Sequence, residues 1–265
     1  MAERREPLRL YKDANDQICN LCLLPAALTD DHVPTKGWGN DSLIEVRRFL
    51  GEQFKAKQAI LKCQGGVFFK TLCRQCNGEV LGGIPDAGLA ELVAVCRKQF
   101  GREKRTFEAV LRPNAILRSI LGHMISLRNY TERDMTLDVM IRNYLIHGKP
   151  LDARIKVYVW PFIIPDRLVI ARDFVFADLK SREVSGILNV IKFDPLAVVV
   201  QLDGSDFSAP SFHEFATAGA NEEFRLALQF STVFDPDFPE QAQTVDPKYV
   251  VVAGKGFTDG IERVV

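Results

Sequence analysis

Four of the six cysteines form two C-x-x-C pairs, CNLC at Cys19 and Cys22 and CRQC at Cys73 and Cys76. A C-x-x-C turn presents two thiolates to one ion, and two such turns complete the tetrahedral four-cysteine site of structural zinc. The 50 residues between the pairs exceed the roughly 15–20 of the common pattern, which an inserted element would explain. Because cytosolic cysteines stay reduced, the clustering favours a metal over disulfides. We predict structural Zn²⁺ on these four residues; the alternatives are buried free cysteines, or Cys63 replacing one ligand.

A second group of polar residues lies between the two pairs, in the stretch TDDHVPTKGWG. Asp31 directly precedes His32; a carboxylate can hold a hard cation while a neighbouring imidazole deprotonates water. A phosphodiester suits this chemistry because the cation neutralises charge that develops on the phosphoryl and leaving oxygens. Asn77, directly after the last cysteine, offers a further ligand if a helix begins there. The zinc would then fix the start of that helix against the hairpin that carries His32.

The order C-x-x-C, Asp-His-x-Pro and C-x-x-C-Asn resembles the zinc-bearing HNH endonucleases of the ββα-metal (His-Me finger) group, over roughly residues 15–82. The resemblance implies a β-hairpin and a helix with metal between them. It also implies His32 as the general base, Asp31 and Asn77 as ligands of a catalytic Mg²⁺ or Mn²⁺, and the four cysteines as zinc ligands. The family's middle asparagine, which buttresses the loop carrying the base, is missing from VFFKTL, where Phe68 stands.

Residues around this stretch are candidates for contact with nucleic acid. Lys36 and Trp38 follow His32, and Lys70 precedes the second cysteine pair, so they would face a phosphate backbone or a base. Trp38 as a lid on a small core, and Lys70 as a surface lysine, are the alternatives. The basic run at 97–105 suits phosphate contact or a solvated helix end. Three further histidines are expected to be structural or at the surface: His123, His147 and His213.

The elements that would position these residues begin with a small module over 1–82. Residues 19–39 predict short strands and turns. The apolar residues of 41–58 recur mostly on one face, which predicts a helix inserted between the two halves of the metal site. Residues 65–77 predict a short strand that leads into the second knuckle, with a helix beginning near Asn77.

The rest of the chain divides into a segment with helical patterns and a segment with strand patterns. Residues 83–150 predict a helical segment, with one helix to about Phe100 and two or three more over 106–148. Residues 151–265 predict a strand-rich, antiparallel domain, because short runs of Val, Ile and Phe alternate with Pro, Asp and Gly turns. The fold class is therefore α+β. The six predicted strands are RIKVYVWPFIIP, RLVIARDFVFADL, GILNVIKF, LAVVVQL, FRLALQFSTVF and KYVVVAG.

Composition and charge narrow the class of protein. Hydrophobic residues make up 47% and charged residues 26% of the chain, which suits a globular protein with a substantial core. No apolar run reaches the roughly 18 residues of a membrane span, and MAERREPLRL does not resemble a secretory signal, so we expect a cytoplasmic protein. Residues 1–150 carry +6 (23 Lys and Arg against 17 Asp and Glu) and the remainder carries −6. A polyanion would therefore approach the N-terminal half.

These observations predict a metal-dependent HNH endonuclease that hydrolyses DNA. Its C-terminal domain would target or regulate the cleavage, bind a protein partner or form a homo-oligomer, in a setting such as prokaryotic defence. The alternative is a non-catalytic zinc module that binds nucleic acid or regulates, which the missing asparagine favours. A disulfide-linked or redox protein is the remaining alternative.

Overall fold

The computed structural model describes residues 8–11, 16–41, 44–48, 61–63, 65–128, 135–164, 168–178, 183–204, 206–230, 249–253 and 261–262. It combines helices with mostly antiparallel sheet, so the predicted α+β class is confirmed. Within these ranges, no helix is both long enough and apolar enough to cross a lipid bilayer.

The first five strands surround the chemistry-bearing residues. They are β1 (Leu8–Tyr11), β2 (Leu28–His32), β3 (Ile44–Arg48), β4 (Leu61–Cys63) and β5 (Val67–Cys73). β5 is the central strand of a three-stranded sheet, parallel to β1 and antiparallel to β2. Asp31 and His32 therefore lie at the end of one strand, and the neighbouring strand leads directly into Cys73.

The middle of the chain supplies the helices. Its elements are a π-helical turn (Cys76–Leu81), α1 (Ile84–Phe100), β6 (Thr106–Leu111), α2 (Pro113–Ser126) and α3 (Thr136–Leu145). Pro85 and Pro113 lie in the first turns of their helices, where a missing N–H group costs no hydrogen bond. Every residue of α2 except Arg118 is buried. A helix that is largely apolar on all sides belongs inside a protein, and α2 is the central helix of this one.

The remaining strands form the large sheet and its neighbour. They are β7 (Ile155–Pro161), β8 (Leu168–Asp178), β9 (Glu183–Phe193), β10 (Leu196–Leu202), β11 (Phe224–Gln229), β12 (Tyr249–Ala253) and β13 (Ile261–Glu262). The large sheet runs in the order β4-β3-β13-β8-β9-β10-β7, and β12 also pairs with β8. β11 pairs with β6 in a separate two-stranded sheet. All seven residues of β10 are buried, because both faces of this part of the sheet are covered.

Several predictions of secondary structure are confirmed. All six predicted C-terminal runs contain strands, namely β7 to β12, and the short strand before the second knuckle is β5. The helix predicted to end near Phe100 is α1. α2 and α3 are the further helices expected before residue 150.

Two helix predictions are wrong in part. Residues 44–48 of the predicted helix 41–58 form β3, which pairs with β4 and with β13. The alternation of Ile44 and Val46 with charged residues suits a strand once such partners exist. The rest of that helix, except the exposed turn residue Asp41, lies outside the described residues. Residues 106–111, predicted as the start of a helix, form β6, because β11 supplies a partner strand from more than 100 residues downstream.

One hydrophobic core connects the regions of the chain. Its buried side chains begin at Cys19, continue through α1, α2 and α3 into β7 to β10, and end at Phe230. A smaller cluster, which includes Trp160, covers the opposite face of β7, β9 and β10. The predicted division into 1–82, 83–150 and 151–265 stays a prediction, and this core crosses both boundaries.

Candidate functional site

The sulfur atoms of the four predicted cysteines converge. All four Sγ atoms of Cys19, Cys22, Cys73 and Cys76 lie within 4.8 Å of one another, and those of Cys22 and Cys73 are 3.9 Å apart. A tetrahedral zinc with Zn–S bonds of about 2.3 Å requires sulfurs about 3.8 Å apart. Three of the cysteines are buried and Cys22 is half-buried. The donor set and its closure fit a structural zinc ion, and the four cysteines are those that the spacing predicted.

Backbone geometry prepares these sulfurs for a cation. The first knuckle closes through a hydrogen bond from the Leu23 amide to the Cys19 carbonyl, with Leu23 in the left-handed region at φ 60°. The Cys73 amide donates to Cys19 Sγ at 3.3 Å, and the Cys76 amide donates to Cys73 Sγ at 3.5 Å. A hydrogen bond from Cys76, helped by backbone amides, lowers the pKa of Cys19 to about 4. These hydrogen bonds favour a thiolate at Cys19, and a bound zinc would deprotonate the other thiols.

The first knuckle is also anchored to the helices. The side-chain amide of Asn20 donates to the carbonyls of Ile125 at 3.2 Å and Arg128 at 2.6 Å, at the C-terminal end of α2. The Asn20 carbonyl accepts a hydrogen bond of 2.8 Å from Arg142 Nε in α3. Asn20 thereby satisfies carbonyl groups that the end of a helix leaves unpaired. The four-cysteine cluster and the central helix are consequently connected by hydrogen bonds.

His32 occupies the end of β2, next to the start of β5. Its ring is half-buried and lies against Phe68 with 3.9 Å between ring centroids. Burial lowers the pKa of His32 and the charge of Lys36 lowers it further, against opposing effects of Asp31 and of a hydrogen bond to the Gly65 backbone. The imidazole is therefore neutral at neutral pH, which is the form that a general base requires.

An asparagine does buttress the loop after His32, which corrects the expectation from the sequence. Asn40 is wholly buried, and its Nδ2 donates to the carbonyls of Pro34 at 2.8 Å and Val67 at 3.0 Å. Its Oδ1 accepts a hydrogen bond of 3.0 Å from the Val67 amide. The resemblance places the buttressing asparagine in VFFKTL, but in this structure Asn40, from the loop after His32, makes these hydrogen bonds. Its one signal in the sequence is an uncharged amide in the glycine-containing turn GWGN.

Asn77 joins the π-helical turn to the hairpin. Its Nδ2 donates to Thr29 Oγ1 and to the Asp30 carbonyl, each at 3.1 Å. The residue after the last cysteine thus reaches β2 immediately before Asp31. The other end of the amide is an oxygen, the kind of atom that a hard cation binds.

Asp31 has a partner that sequence reasoning missed. Asp31 is 4% exposed, and its Oδ2 lies 3.2 Å from His123 Nδ1. His123 Nε2 lies 2.9 Å from Oδ1 of Asp86. Burial alone would lower the pKa of His123, but the charges of Asp31 and Asp86 and the hydrogen bonds to them raise it to about 10. We call these three residues the carboxylate cluster.

The distance along the chain explains why His123 was not recognised. It stands 92 residues from Asp31 and 37 from Asp86, so no local spacing brings these residues together. His147 is exposed, as expected, and the half-buried His213 has its Nδ1 at the Val157 backbone. Of the three histidines set aside from the sequence, His123 lies in direct contact with two carboxylates.

The residues predicted to contact nucleic acid separate into two groups. Lys36 is exposed beside the His32 loop, and Lys70 is half-buried on β5, in register with Asp30. Trp38 is only 1% exposed, and its Nε1 donates to the Phe193 carbonyl at 3.0 Å. The expectation that Trp38 contacts a base is therefore wrong for this structure. A large indole gains more from burial with a satisfied N–H group, and the alternative interpretation as a lid on the core holds.

The basic run at 97–105 forms the end of α1 and the turn after it. Lys98, Arg102 and Lys104 are exposed there, which suits the solvated helix end. Arg97 lies along the surface, half exposed, and its Nη2 donates to the carbonyls of Trp38 at 3.3 Å and Asp194 at 3.2 Å. It ties the turn after His32 to the turn between β9 and β10.

No protein-family model, curated protein or solved structure matches this chain. The geometry itself places a four-cysteine cluster that could hold a metal ion beside β2, which carries Asp31 and His32, and Asn77 bonds the helical turn to that strand. Chemically, the arrangement offers a neutral imidazole, oxygen ligands for a hard cation, and a rigid thiolate cage that keeps the two strands and the turn together.

Proposed function

We propose that this protein is a metal-dependent endonuclease of the ββα-metal type that hydrolyses phosphodiester bonds in DNA. The observation that carries the proposal is the contact between Asn77 and β2, made directly beside Asp31 and His32 and held by the four-cysteine centre. The hairpin, the turn that begins after the last cysteine, and the zinc-binding geometry agree with the resemblance in the order of the motifs.

His32 acts as the general base in this proposal. Its half-buried ring combines access for water with a lowered pKa, so the ring is unprotonated at neutral pH and can accept the proton of an attacking water. Contact with Phe68 and the hydrogen bond at Gly65 hold the ring in one orientation. The Asn40 brace fixes the loop that follows it. A base held in this way accepts the proton of the attacking water without first losing side-chain freedom.

Asp31 and Asn77 would hold the catalytic cation. Carboxylate and amide oxygens are the ligands that Mg²⁺ and Mn²⁺ prefer, and both residues lie at the junction of the hairpin and the π-helical turn. When bound, the cation supplies the positive charge that stabilises the phosphoryl and leaving oxygens. The zinc supplies structure, since a closed site of four thiolates has no position left for substrate.

DNA is the proposed substrate because a polyanion is drawn to the N-terminal half, which carries +6. Lys36 is exposed beside the base, where it can contact a phosphate. The acidic C-terminal region would target or regulate cleavage, or bind a protein partner or a second copy. A cytoplasmic location and a role in prokaryotic defence belong to this proposal as well.

Plasmid cleavage tests the proposal. Zinc-loaded protein should nick or linearise plasmid with Mg²⁺ or Mn²⁺, and His32→Ala should lower the rate by about 10²–10⁴-fold, the usual contribution of a general base. His147→Ala is the matched control because that histidine is exposed and remote in the sequence. Zinc content and circular dichroism should be the same in all three proteins. Equal cleavage by wild type and His32→Ala would overturn the assignment of the base.

A non-catalytic zinc module is the second candidate, and one observation favours it. Asp31 is buried and bound to His123, so the carboxylate is already occupied by a positive group. This alternative expects DNA binding in a gel-shift assay without cleavage by any divalent cation. The predicted nicking by wild-type protein decides between the two.

A further inference from the structure

His123 bridges two carboxylates that come from different elements. Asp31 lies on β2, Asp86 in the first turn of α1, and the imidazole between them on α2. The ring is 2% exposed, so water does not compete for its nitrogens. A neutral imidazole has one donor and one acceptor nitrogen, whereas two ionised carboxylates require two donors. The geometry therefore selects the imidazolium, a fixed positive charge in contact with the proposed cation ligand.

This contact leaves Asp31 with one oxygen for another partner. Its Oδ2 faces His123 at 3.2 Å, so Oδ1 is the oxygen that remains for a divalent ion. A carboxylate oxygen that accepts a hydrogen bond from a positive imidazolium is a weaker ligand for a cation, so coordination through Oδ1 is favoured over chelation by both oxygens. The side chain is consequently set for one-oxygen coordination before any ion arrives.

Asp86 and the packing of α2 hold the imidazole in place. Asp86 Oδ1 accepts a hydrogen bond of 2.7 Å from Ser119 and lies 2.9 Å from His123 Nε2. Gly122, the neighbour of His123, packs against Leu81 so closely that a Cβ atom there would lie 2.0 Å from a Leu81 methyl carbon. Leu81 ends the π-helical turn that contains Asn77. The imidazole and the turn that carries the second proposed ligand are thus fixed relative to each other.

We propose that His123 and Asp86 are positioning residues that make Asp31 bind the catalytic cation through Oδ1 alone and that set the affinity for this ion. The inference rests on the proposed function. The three charges of the carboxylate cluster leave one net negative charge for the cation to meet. Removing His123 increases that negative charge, and removing the charge of Asp86 decreases it, although neither residue touches the ion.

Titration of Mn²⁺ into the zinc-loaded full chain, followed by the electron paramagnetic resonance of free Mn²⁺, measures this effect without reference to activity. His123→Gln should bind Mn²⁺ about tenfold more tightly, because a nearby positive charge is lost, yet its kcat should fall while KM for DNA changes little. Asp86→Asn should bind Mn²⁺ about tenfold more weakly. Glu91→Gln, which removes one charge from an exposed position of the same helix, is the matched control and should bind as wild type does.

Opposite changes in affinity for the two variants support the inference, since a merely structural role would not produce them. Wild-type affinity in both variants, with wild-type protein that binds Mn²⁺ and cleaves DNA, overturns the inference and leaves the proposed function intact. A wild-type protein that neither binds Mn²⁺ nor cleaves overturns both. If His123→Gln does not fold, Asp86→Asn decides alone: its carboxylate is 28% exposed, and wild-type affinity in this variant contradicts the inference.

Discussion

Two groups of buried charges lie along α2, and they differ in sign and in connection. The carboxylate cluster places one imidazolium between two carboxylates. Beyond the C-terminal end of the same helix, a second group, here called the guanidinium cluster, joins three arginines to two aspartates in the described part of the chain: Arg128, Arg142, Arg172, Asp138 and Asp173. Apart from Asp86, whose side chain is 28% exposed, the members of both groups are buried, and buried charges need internal partners.

The guanidinium cluster ties structural elements to one another. The Asp138 carboxylate, from α3, binds Arg128 directly and lies 3.2 Å from Arg172 of β8. Asp173 follows in the left-handed region at φ 55°, where the pairing of β8 with β9 shifts register. Asn189 of β9 accepts hydrogen bonds from the Asp173 amide and from Arg172 Nε. These charges bind each other across α2, α3, β8 and β9, which suits a structural role.

The carboxylate cluster, by contrast, has a member on the hairpin that carries His32. Asp31 keeps an oxygen for an additional ligand, and the cluster as a whole is negative. The comparison teaches that burial of charge does not by itself indicate function. A buried cluster is a candidate for chemistry when its charge is unbalanced toward a ligand and one member borders an accessible group such as His32.

Loss of the zinc centre should have the largest effect, because Asn20 connects the first knuckle to the helix between the two clusters. We expect Cys76→Ser to lose the zinc and to lower Tm by more than about 10 °C, since structural zinc contributes folding free energy directly. Metal analysis and thermal unfolding by circular dichroism measure both. Cys96→Ala, at a buried cysteine outside the centre, should retain zinc. In Cys76→Ser, backbone hydrogen exchange should become faster near both clusters. Faster exchange near only one of them would show that the two clusters are not both held through Asn20.

Asp138→Asn should have the next largest effect. It removes the carboxylate that faces three buried guanidinium groups, and breaking a buried ion pair in this way costs about 3–5 kcal/mol. The free energy of unfolding from urea denaturation measures the loss. Glu108→Gln is the control, because its ion pair with Arg225 is exposed and pairs of that kind contribute less than about 1 kcal/mol. A small loss of unfolding free energy in Asp138→Asn would contradict a structural role for the guanidinium cluster.

The pH dependence of stability should show a smaller, graded effect that belongs to the carboxylate cluster. The folded protein raises the pKa of His123 from 6.5 to about 10. A raised pKa contributes stability that is complete below 6.5 and is lost as pH rises through about 10. Urea midpoints of zinc-loaded protein without added Mg²⁺ or Mn²⁺ should therefore fall over this range. His123→Gln should flatten the profile, and an unchanged slope in that variant would assign the dependence to other groups.

The parts of this protein that sequence predicts are those with local signals. The C-x-x-C spacing of Cys19 and Cys22 predicts that they are metal ligands, and the alternation of apolar residues with turns identifies β7 to β12. β6 pairs with β11, which is distant in the chain, and β3 pairs both with the nearby β4 and with the distant β13. In both places strand pairing outweighs local helical periodicity. Propensity in short segments is routinely overridden by such tertiary context.

The candidate site divides in the same way. The Asp31–His32 pair and Asn77 stand in a recognisable order, whereas His123, Asn40 and the burial of Trp38 depend on contacts that no short pattern encodes. The chemical role of a histidine such as His123 depends on the side chains that the fold places next to it. The sequence shows a nitrogen-bearing side chain on an apolar helix, and only the fold supplies two carboxylates for it.

The hydrogen bond from the Trp38 indole to the Phe193 carbonyl limits where recombination could divide this chain. It joins the loop of the proposed base to a turn that is encoded 155 residues later, and Arg97 fastens the same two loops. A recombination breakpoint near residue 150 would leave the indole without its acceptor and expose the apolar surface beneath it. The strand and loop that carry His32 therefore depend on the sheet that follows, and a recombination event would have to transfer both together.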